Sequence, residues 1–164
     1  MNCKPNKEQL TRRLAEIVGD DAVLADKREL VVYECDAYTL QRNPPTAVVL
    51  PRSTQEVAAV VRLCAELNVP IIPRGAGTSL SGAVLAIDGG VMIALTRMNR
   101  VLKVDPPNRR ALVEAGCVNA WITRDASAHG LFYAPDPSSQ TACTIGGNIA
   151  NGSPIGDLAP ALIA

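Results

Sequence analysis

Apolar residues recur along this chain with two periods, and each change of period marks an element. Leu10, Leu14 and Ile17 share one side of a 3.6-residue repeat and predict an amphipathic helix over residues 6–18, stopped by Gly19-Asp20-Asp21. A shorter helical stretch is expected over Lys27–Tyr33, and Asn43-Pro44-Pro45 punctuates the chain after it. Ala47–Leu50 then reads as a short apolar strand. Ser53-Thr54-Gln55-Glu56 has the form of a capping box, with Glu56 reaching back toward the cap. The helix it opens is expected to bury Val57, Val60, Val61, Cys64 and Leu67. Asn68 closes it in a left-handed conformation, and Pro70 forbids its continuation. Ile71-Ile72-Pro73 is a second strand, so strand, helix and strand form a βαβ unit with parallel pairing.

Beyond this unit, Gly89-Gly90 leads into an apolar strand over Val91–Leu95. Val101–Val104 and Ala111–Val113 are two strands joined at Asp105-Pro106-Pro107-Asn108. Val118–Ala128 is a helix ended by Gly130, and a short helix is expected near Gly146–Asn151. The pattern gives an α+β fold: a small βαβ subdomain followed by the beginning of a mixed-sheet second one. Residues 1–42 form a helical lead-in, and residues 43–164 form the main domain.

Composition narrows the function classes. The 164 residues suffice for one domain with a short preface, and with 48% apolar residues a packed core is feasible. One Trp, one Phe and three Tyr leave that core to aliphatic side chains. Sixteen basic residues balance sixteen acidic ones, which gives no electrostatic footprint for nucleic acid. Neither a membrane span nor a secretory signal is visible. The five cysteines (Cys3, Cys35, Cys64, Cys117 and Cys143) form no C-x-x-C pair, so they read as reduced thiols of a cytoplasmic protein and small buried hydrophobes, with no metal site.

The chemistry concentrates in two segments. Directly after a strand comes Arg74-Gly75-Ala76-Gly77-Thr78-Ser79-Leu80-Ser81-Gly82. Its three glycines permit positive φ and leave room beside the backbone, and successive amides in such a turn converge on an anion. Thr78, Ser79 and Ser81 add hydroxyl donors, so the ligand implied is a phosphate or diphosphate. Ala83 stands where a P-loop requires Lys, and Leu80 stands where a Rossmann fingerprint requires its third glycine. A glycine- and serine-rich surface turn is the plain alternative for this segment alone. The second segment runs from the constrained turn Pro135-Asp136-Pro137-Ser138-Ser139 to Thr144-Ile145-Gly146-Gly147-Asn148. Its glycine pair lets main chain approach a flat ring, and Thr144 and Asn148 offer hydrogen bonds to a heterocycle edge.

Pro73–Gly82 together with Tyr133–Asn148, with Tyr33-Glu34-Cys35-Asp36 and Val49-Leu50-Pro51, resembles the FAD-binding domain of the vanillyl-alcohol oxidase/p-cresol methylhydroxylase (PCMH-type) family. The resemblance runs from about Glu8 to Ala150 and is strongest toward the glycolate oxidase D subunits and FAD-linked D-lactate dehydrogenases. It implies a PCMH-type fold, with the FAD diphosphate held by the amides of Arg74–Leu80 and by Ser81 and Gly82. It places adenine near Val49 and Pro51, and the flavin against Pro135–Ser139 and Thr144–Asn148. Some relatives link the flavin through a histidine in the glycine loop; Thr78 occupies that place here, so non-covalent FAD is expected.

After Asn148 the chain departs from that branch. Residues 149–162, with Asp157 placed to face the flavin, resemble the FAD subunit of molybdenum hydroxylases. The chain ends within the apolar run Ala159–Ala164, where family members continue into further FAD domain and a substrate-covering cap. The cap supplies the substrate arginines and the proton-abstracting histidine, so no catalytic residue is expected here and this chain alone is expected to be inactive. The resemblance implies an oxidoreductase acting on a 2-hydroxy acid, with electrons passed to an iron–sulfur or other acceptor subunit. The alternatives are an electron-relay subunit of a molybdenum hydroxylase and an inactive truncated module. His129, the only histidine, suits a helix C-terminus, Trp121 is expected in the core, and Arg74 either neutralises diphosphate or lies on the surface.

Overall fold

A computed structural model describes residues 6–134 and 139–151 and divides the chain into two compact units, Met1–Arg97 and Met98–Ala164. In the first unit, α1 (Lys7–Val18) buries Leu10, Leu14 and Val18. It is capped by the Asn6 side chain and ends where Gly19 donates its N–H to the Ala15 carbonyl. The stretch after it holds β1 (Val23–Leu24), α2 (Lys27–Leu30) and a 3-10 turn at Val31–Tyr33.

The sheet that follows is built on β2 (Ala47–Val49), β3 (Ile71–Arg74) and β4 (Val91–Ala94) in the order β1-β2-β4-β3. β4 pairs in parallel with β2 on one side and β3 on the other, while β1 is antiparallel to β2. The expected βαβ unit is present and its strands are parallel, but β2 and β3 are not neighbours, because β4 lies between them. Its four residues are all buried, so it needs a strand on each side and helix or loop on each face. β3 is left at the edge, where Pro73 and its missing N–H are tolerated.

The register sorts the side chains by face. Val48 and Ile72 both align with Met92. These three join Leu30, Val84, Ala86 and Ala94 in one apolar cluster. The intervening residues Ala47, Val49, Val91 and Ile93 point the other way and meet Leu10, Leu14, Val60, Leu63 and Cys64 from α1 and α3.

α3 (Thr54–Glu66) begins as the Ser53 Oγ accepts from the Glu56 N–H at 3.2 Å. Glu56 reaches one residue further back than expected, accepting the Arg52 N–H at 2.7 Å. Asn68 takes the left-handed conformation at φ 52°. On the buried face, Leu63 joins Val60 and Cys64, whereas Val61, expected inside, is 39% exposed. Residues 60, 63 and 64 share one helix face, and position 61 lies on its flank. Cys64 behaves as a small core hydrophobe, and burial pushes its thiol up to about 11.

The second unit opens with the antiparallel hairpin of β5 (Val101–Asp105) and β6 (Arg110–Val113). Arg100 and Glu114 close its base with a two-pronged ion pair, at 2.7 and 3.2 Å. α4 (Asn119–Ser127) and α5 (Ile145–Asn151) follow. α4 buries Asn119, Ile122 and Ala126. Trp121, expected in the core, sits beside that face and is 38% exposed.

Val60 and Val61 make a direct test of the α3 face. Val60→Ala is expected to lower the unfolding free energy by about 2 kcal/mol, because two buried methyl groups and a cavity are involved. Val61→Ala is expected to change it by less than about 0.5 kcal/mol. Denaturant titration of both variants checks the ordering.

Candidate functional site

The first candidate segment leaves the edge strand at Arg74. Both Gly77 (φ 72°) and Gly82 (φ 71°) adopt the left-handed conformation that turns the loop. Ala76, Thr78, Leu80 and Ser81 are exposed, with Leu80 78% so. The Ser79 and Ser81 hydroxyls lie 2.9 Å apart, and the Ser81 N–H donates to Ser79 Oγ at 3.2 Å. Gly75 is half-buried beside Arg74 in sequence.

Arg74 is neither a free surface cation nor a core residue. Its Nη1 donates to the Cys35 carbonyl at 2.9 Å, and its guanidinium lies 5.5 Å from the centre of the Tyr33 ring. Burial lowers its pKa, while the nearby Tyr33, Asp36 and Cys35 act in the opposite direction; the group stays charged at neutral pH. The guanidinium also stands against Gly77, where an added Cβ would overlap it. Gly77 is favoured by its φ, and a side chain there would also have to displace the end of the Arg74 side chain. Asp36, two residues from the Tyr38 N–H that its Oδ1 accepts at 2.9 Å, is buried, and its Oδ2 has no partner among the described residues.

The second candidate segment is described from Ser139 onward; Pro135, Asp136, Ser138 and Asp157 lie outside the described residues, as does the stretch resembling molybdenum hydroxylases from residue 152 on. Main-chain bonds tie the described part to the residues before α4. Val118 and Thr144 form an antiparallel bridge, the Ile145 N–H donates to the Cys117 carbonyl at 2.9 Å, and the Gly146 N–H donates to the Ala115 carbonyl at 3.0 Å. Thr144 is buried and caps α5, its Oγ1 accepting the Gly147 N–H at 3.3 Å. Asn148 is buried one turn further on.

The two glycines of the pair do different things. A Cβ on Gly146 would come 2.8 Å from the Ala115 carbonyl oxygen, so that position is small because two backbones touch. Gly147 is exposed, and among the described residues a Cβ there would meet only Thr144 Oγ1 at 3.2 Å.

Sequence reasoning passed over Asn119. It is fully buried, its Nδ2 donates to the Ser139 carbonyl at 2.9 Å, and its Oδ1 has no partner among the described residues. The signal was available: a polar residue on the apolar face shared by Ile122 and Ala126. Tyr133 also carries a buried hydroxyl, without a partner among the described residues and pushed up to about 12 by burial. His129 is exposed just past the end of α4. Among the described residues there is no cluster of three or more metal-ligating side chains, and no helix is long and apolar enough to cross a membrane.

Residues 45–155, which include the glycine loop and the start of α5, match the profile of the FAD binding domain. The chain belongs to the FAD binding domain family. Its cofactor is accordingly FAD. Glycolate oxidase subunit GlcD of Escherichia coli (strain K12) is 43% identical over 137 residues, covering 84% of this chain and 28% of that protein. D-lactate dehydrogenase of Anaerostipes hadrus is 45% identical over 106 residues, covering 65% of this chain and 22% of that protein. Among solved structures, p-cresol methylhydroxylase with substrate bound superposes with a TM-score of 0.75 at 25% identity, over 87% of this chain and 28% of the other. The fold of this FAD binding domain is thus the expected PCMH-type, α+β one. The chain spans less than a third of the length of these relatives.

The glycine pair of the FAD binding domain can be separated experimentally. Gly146→Ala is expected to destabilise by about 1–3 kcal/mol, because a backbone carbonyl must move. Gly147→Ala is expected to stay within about 0.5 kcal/mol of the parent, as only the Thr144 side chain must yield. Thermal unfolding of the two variants decides between them.

Proposed function

We propose that this chain is the cofactor-binding portion of a flavin-dependent oxidoreductase. In this reading the whole enzyme oxidises a 2-hydroxy acid of the glycolate or D-lactate class and passes the electrons to a separate acceptor, such as an iron–sulfur subunit. The substrate class rests on the relatives, two of which are named for glycolate and D-lactate. Held by this chain, FAD would supply the hydride-accepting chemistry of such an oxidation. The residues of this chain bind and orient it, and none of them is assigned a catalytic role.

The observation that carries the reading is the pairing of a left-handed Gly77 with the half-buried Arg74 cation beside it. Main-chain amides of Gly75–Leu80, the Ser79 and Ser81 hydroxyls and Arg74 form a donor set suited to a diphosphate, and Gly82 completes the turn. Ser139, Thr144, Gly146, Gly147 and Asn148, with Pro135, Asp136, Ser138 and Asp157, are assigned to the flavin end. The exposed main chain at Gly147 supports this, because a flat ring can approach it closely. Of the buried polar atoms left without a partner among the described residues, Asp36 Oδ2 belongs to a carboxylate near Arg74, Asn119 Oδ1 to a side chain bonded to the Ser139 carbonyl, and Tyr133 Oη to a residue just before the second segment, as expected where a polar ligand is accommodated.

FAD is held non-covalently in this reading, since Thr78 offers no imidazole for attachment. Residues 43–164 carry the cofactor, and residues 1–42 support it through the Cys35 carbonyl on Arg74. The buried thiols Cys64 and Cys117 suit a reducing cytoplasm.

Absorbance of the purified chain tests the reading: a flavin band that co-purifies, or that is acquired on adding FAD, is expected. Gly77→Val is expected to weaken FAD binding by about tenfold or more, through backbone strain and displacement of Arg74. Unchanged affinity in that variant would remove the glycine loop from the site.

A further inference from the structure

Arg74 ends β3, and the glycine loop begins with it. A long cation at such a place ordinarily samples many rotamers, and a ligand that fixes it bears that entropy cost. Here residues 33–38 fix it beforehand. They meet the loop at both ends. The Tyr33 ring centre lies 5.5 Å from the Arg74 guanidinium carbon, and Tyr38 Cδ1 lies 3.6 Å from where a Gly82 Cβ would stand. Between them, the Cys35 carbonyl accepts from Arg74 Nη1 at 2.9 Å.

This segment is braced by bonds of its own. The Glu34 carbonyl accepts the Asn43 N–H at 2.8 Å, and the Glu34 carboxylate pairs with Arg42 at 2.9 Å. Asp36 Oδ1 accepts the Tyr38 N–H at 2.9 Å. Tyr33 itself packs partly against the apolar cluster that includes Leu30, Val48, Ile72 and Met92. The ring is therefore seated on the core and presents a face to the cation.

We infer that Tyr33 is a positioning residue for the diphosphate of the cofactor, acting through Arg74. This rests on the cofactor reading above and adds to it a residue that is not expected to touch FAD. The negative face of an aromatic ring attracts a guanidinium, and more strongly where the cation is half out of water, as Arg74 is. Ring and carbonyl together set the guanidinium with Nη2 and Nε against Gly77, where the loop turns at φ 72°. A diphosphate drawn to the loop amides thus meets a cation already in place, and less freedom is lost on binding. The attraction belongs to the ring, so the phenol hydroxyl is dispensable.

A double-mutant cycle on the full chain tests this, with FAD and ADP as the probes. ADP carries the diphosphate without the flavin. Tyr33→Leu keeps an apolar side chain on the core and removes the ring face. It is expected to weaken FAD and ADP alike, each about fivefold. Arg74→Gln is expected to weaken both about tenfold. In the Arg74→Gln background, adding Tyr33→Leu is expected to cost less than about twofold, because the cation through which the ring acts is gone. Tyr33→Phe, which keeps the face and loses the hydroxyl, is expected to bind both as the parent does. Tyr33→Met, longer and equally without a ring, repeats the measurement should Tyr33→Leu fail to fold.

FAD and ADP affinities equal to the parent in Tyr33→Leu overturn the inference. So does an equal loss in the Arg74→Gln background, which marks a packing role only. A loss for FAD with ADP unaffected overturns it as well, since the effect then lies away from the diphosphate. So does a Tyr33→Phe variant as weak as Tyr33→Leu. The cofactor reading fails separately: a parent chain that takes up neither FAD nor ADP overturns it before any variant is made, and an Arg74→Gln variant that binds both as the parent does removes Arg74 from the site.

Discussion

The first unit depends on the central position of β4. Its four residues are buried on both faces, and its backbone groups are satisfied only by parallel partners on each side. Parallel pairing dictates where the chain must go. Having left the sheet at Arg74, it has to return to the opposite end before it can enter β4 at Val91. A helix usually makes that return. Here residues 75–90 make it without helix or strand, anchored by Val84 and Ala86 in the core. A connection of that length with no regular structure is uncommon in a compact fold unless it serves a purpose. It also starts at the carboxyl end of a parallel strand, where ligands of open α/β sheets gather. The glycine loop is thus the consequence of threading one strand between two others.

Most elements were legible because each was bounded by strong punctuation. Gly19 ended α1, Ser53 and Pro70 bracketed α3, and Asp105-Pro106-Pro107-Asn108 joined the two strands of the hairpin. Strand order was not legible. The apolar runs Ala47–Leu50, Ile71–Ile72 and Val91–Ala94 are equally hydrophobic, and periodicity does not say which is central. Face assignments failed where a residue lay on the flank of a helical stripe: Val61 and Trp121 are apolar, but the neighbouring turn covers neither. The capping box misjudged Glu56 by one residue because its side chain is long enough to reach either amide, and the Arg52 N–H is the one presented to it.

The site was legible as motifs and less so as roles. Gly146-Gly147 read as one feature, yet one glycine answers to the Ala115 backbone and the other faces outward. Spacing alone does not separate a residue kept small by its own fold from one kept small for a ligand. Arg74 could be weighed only as an anion partner or a surface charge. The structure gives it a glycine three residues on to lie against, and a bond to Cys35 and a ring face at Tyr33 that come from a segment about forty residues earlier in the chain.

In the second unit, helix and loop stabilise each other. Nine residues are too few for an isolated helix to persist in water, and α4 lacks the side-chain cap that would help it. The carbonyls of Gln140 and Cys143 supply the missing cap. In return, Asn119 and Thr123 draw the Ser139 and Tyr133 carbonyls onto the helix. Because each half supplies what the other lacks, neither is expected to order alone, and a loss on one side is felt on the other. This reciprocity explains why a polar side chain occupies the buried face of α4: an apolar residue there would improve the face and loosen the loop that caps it.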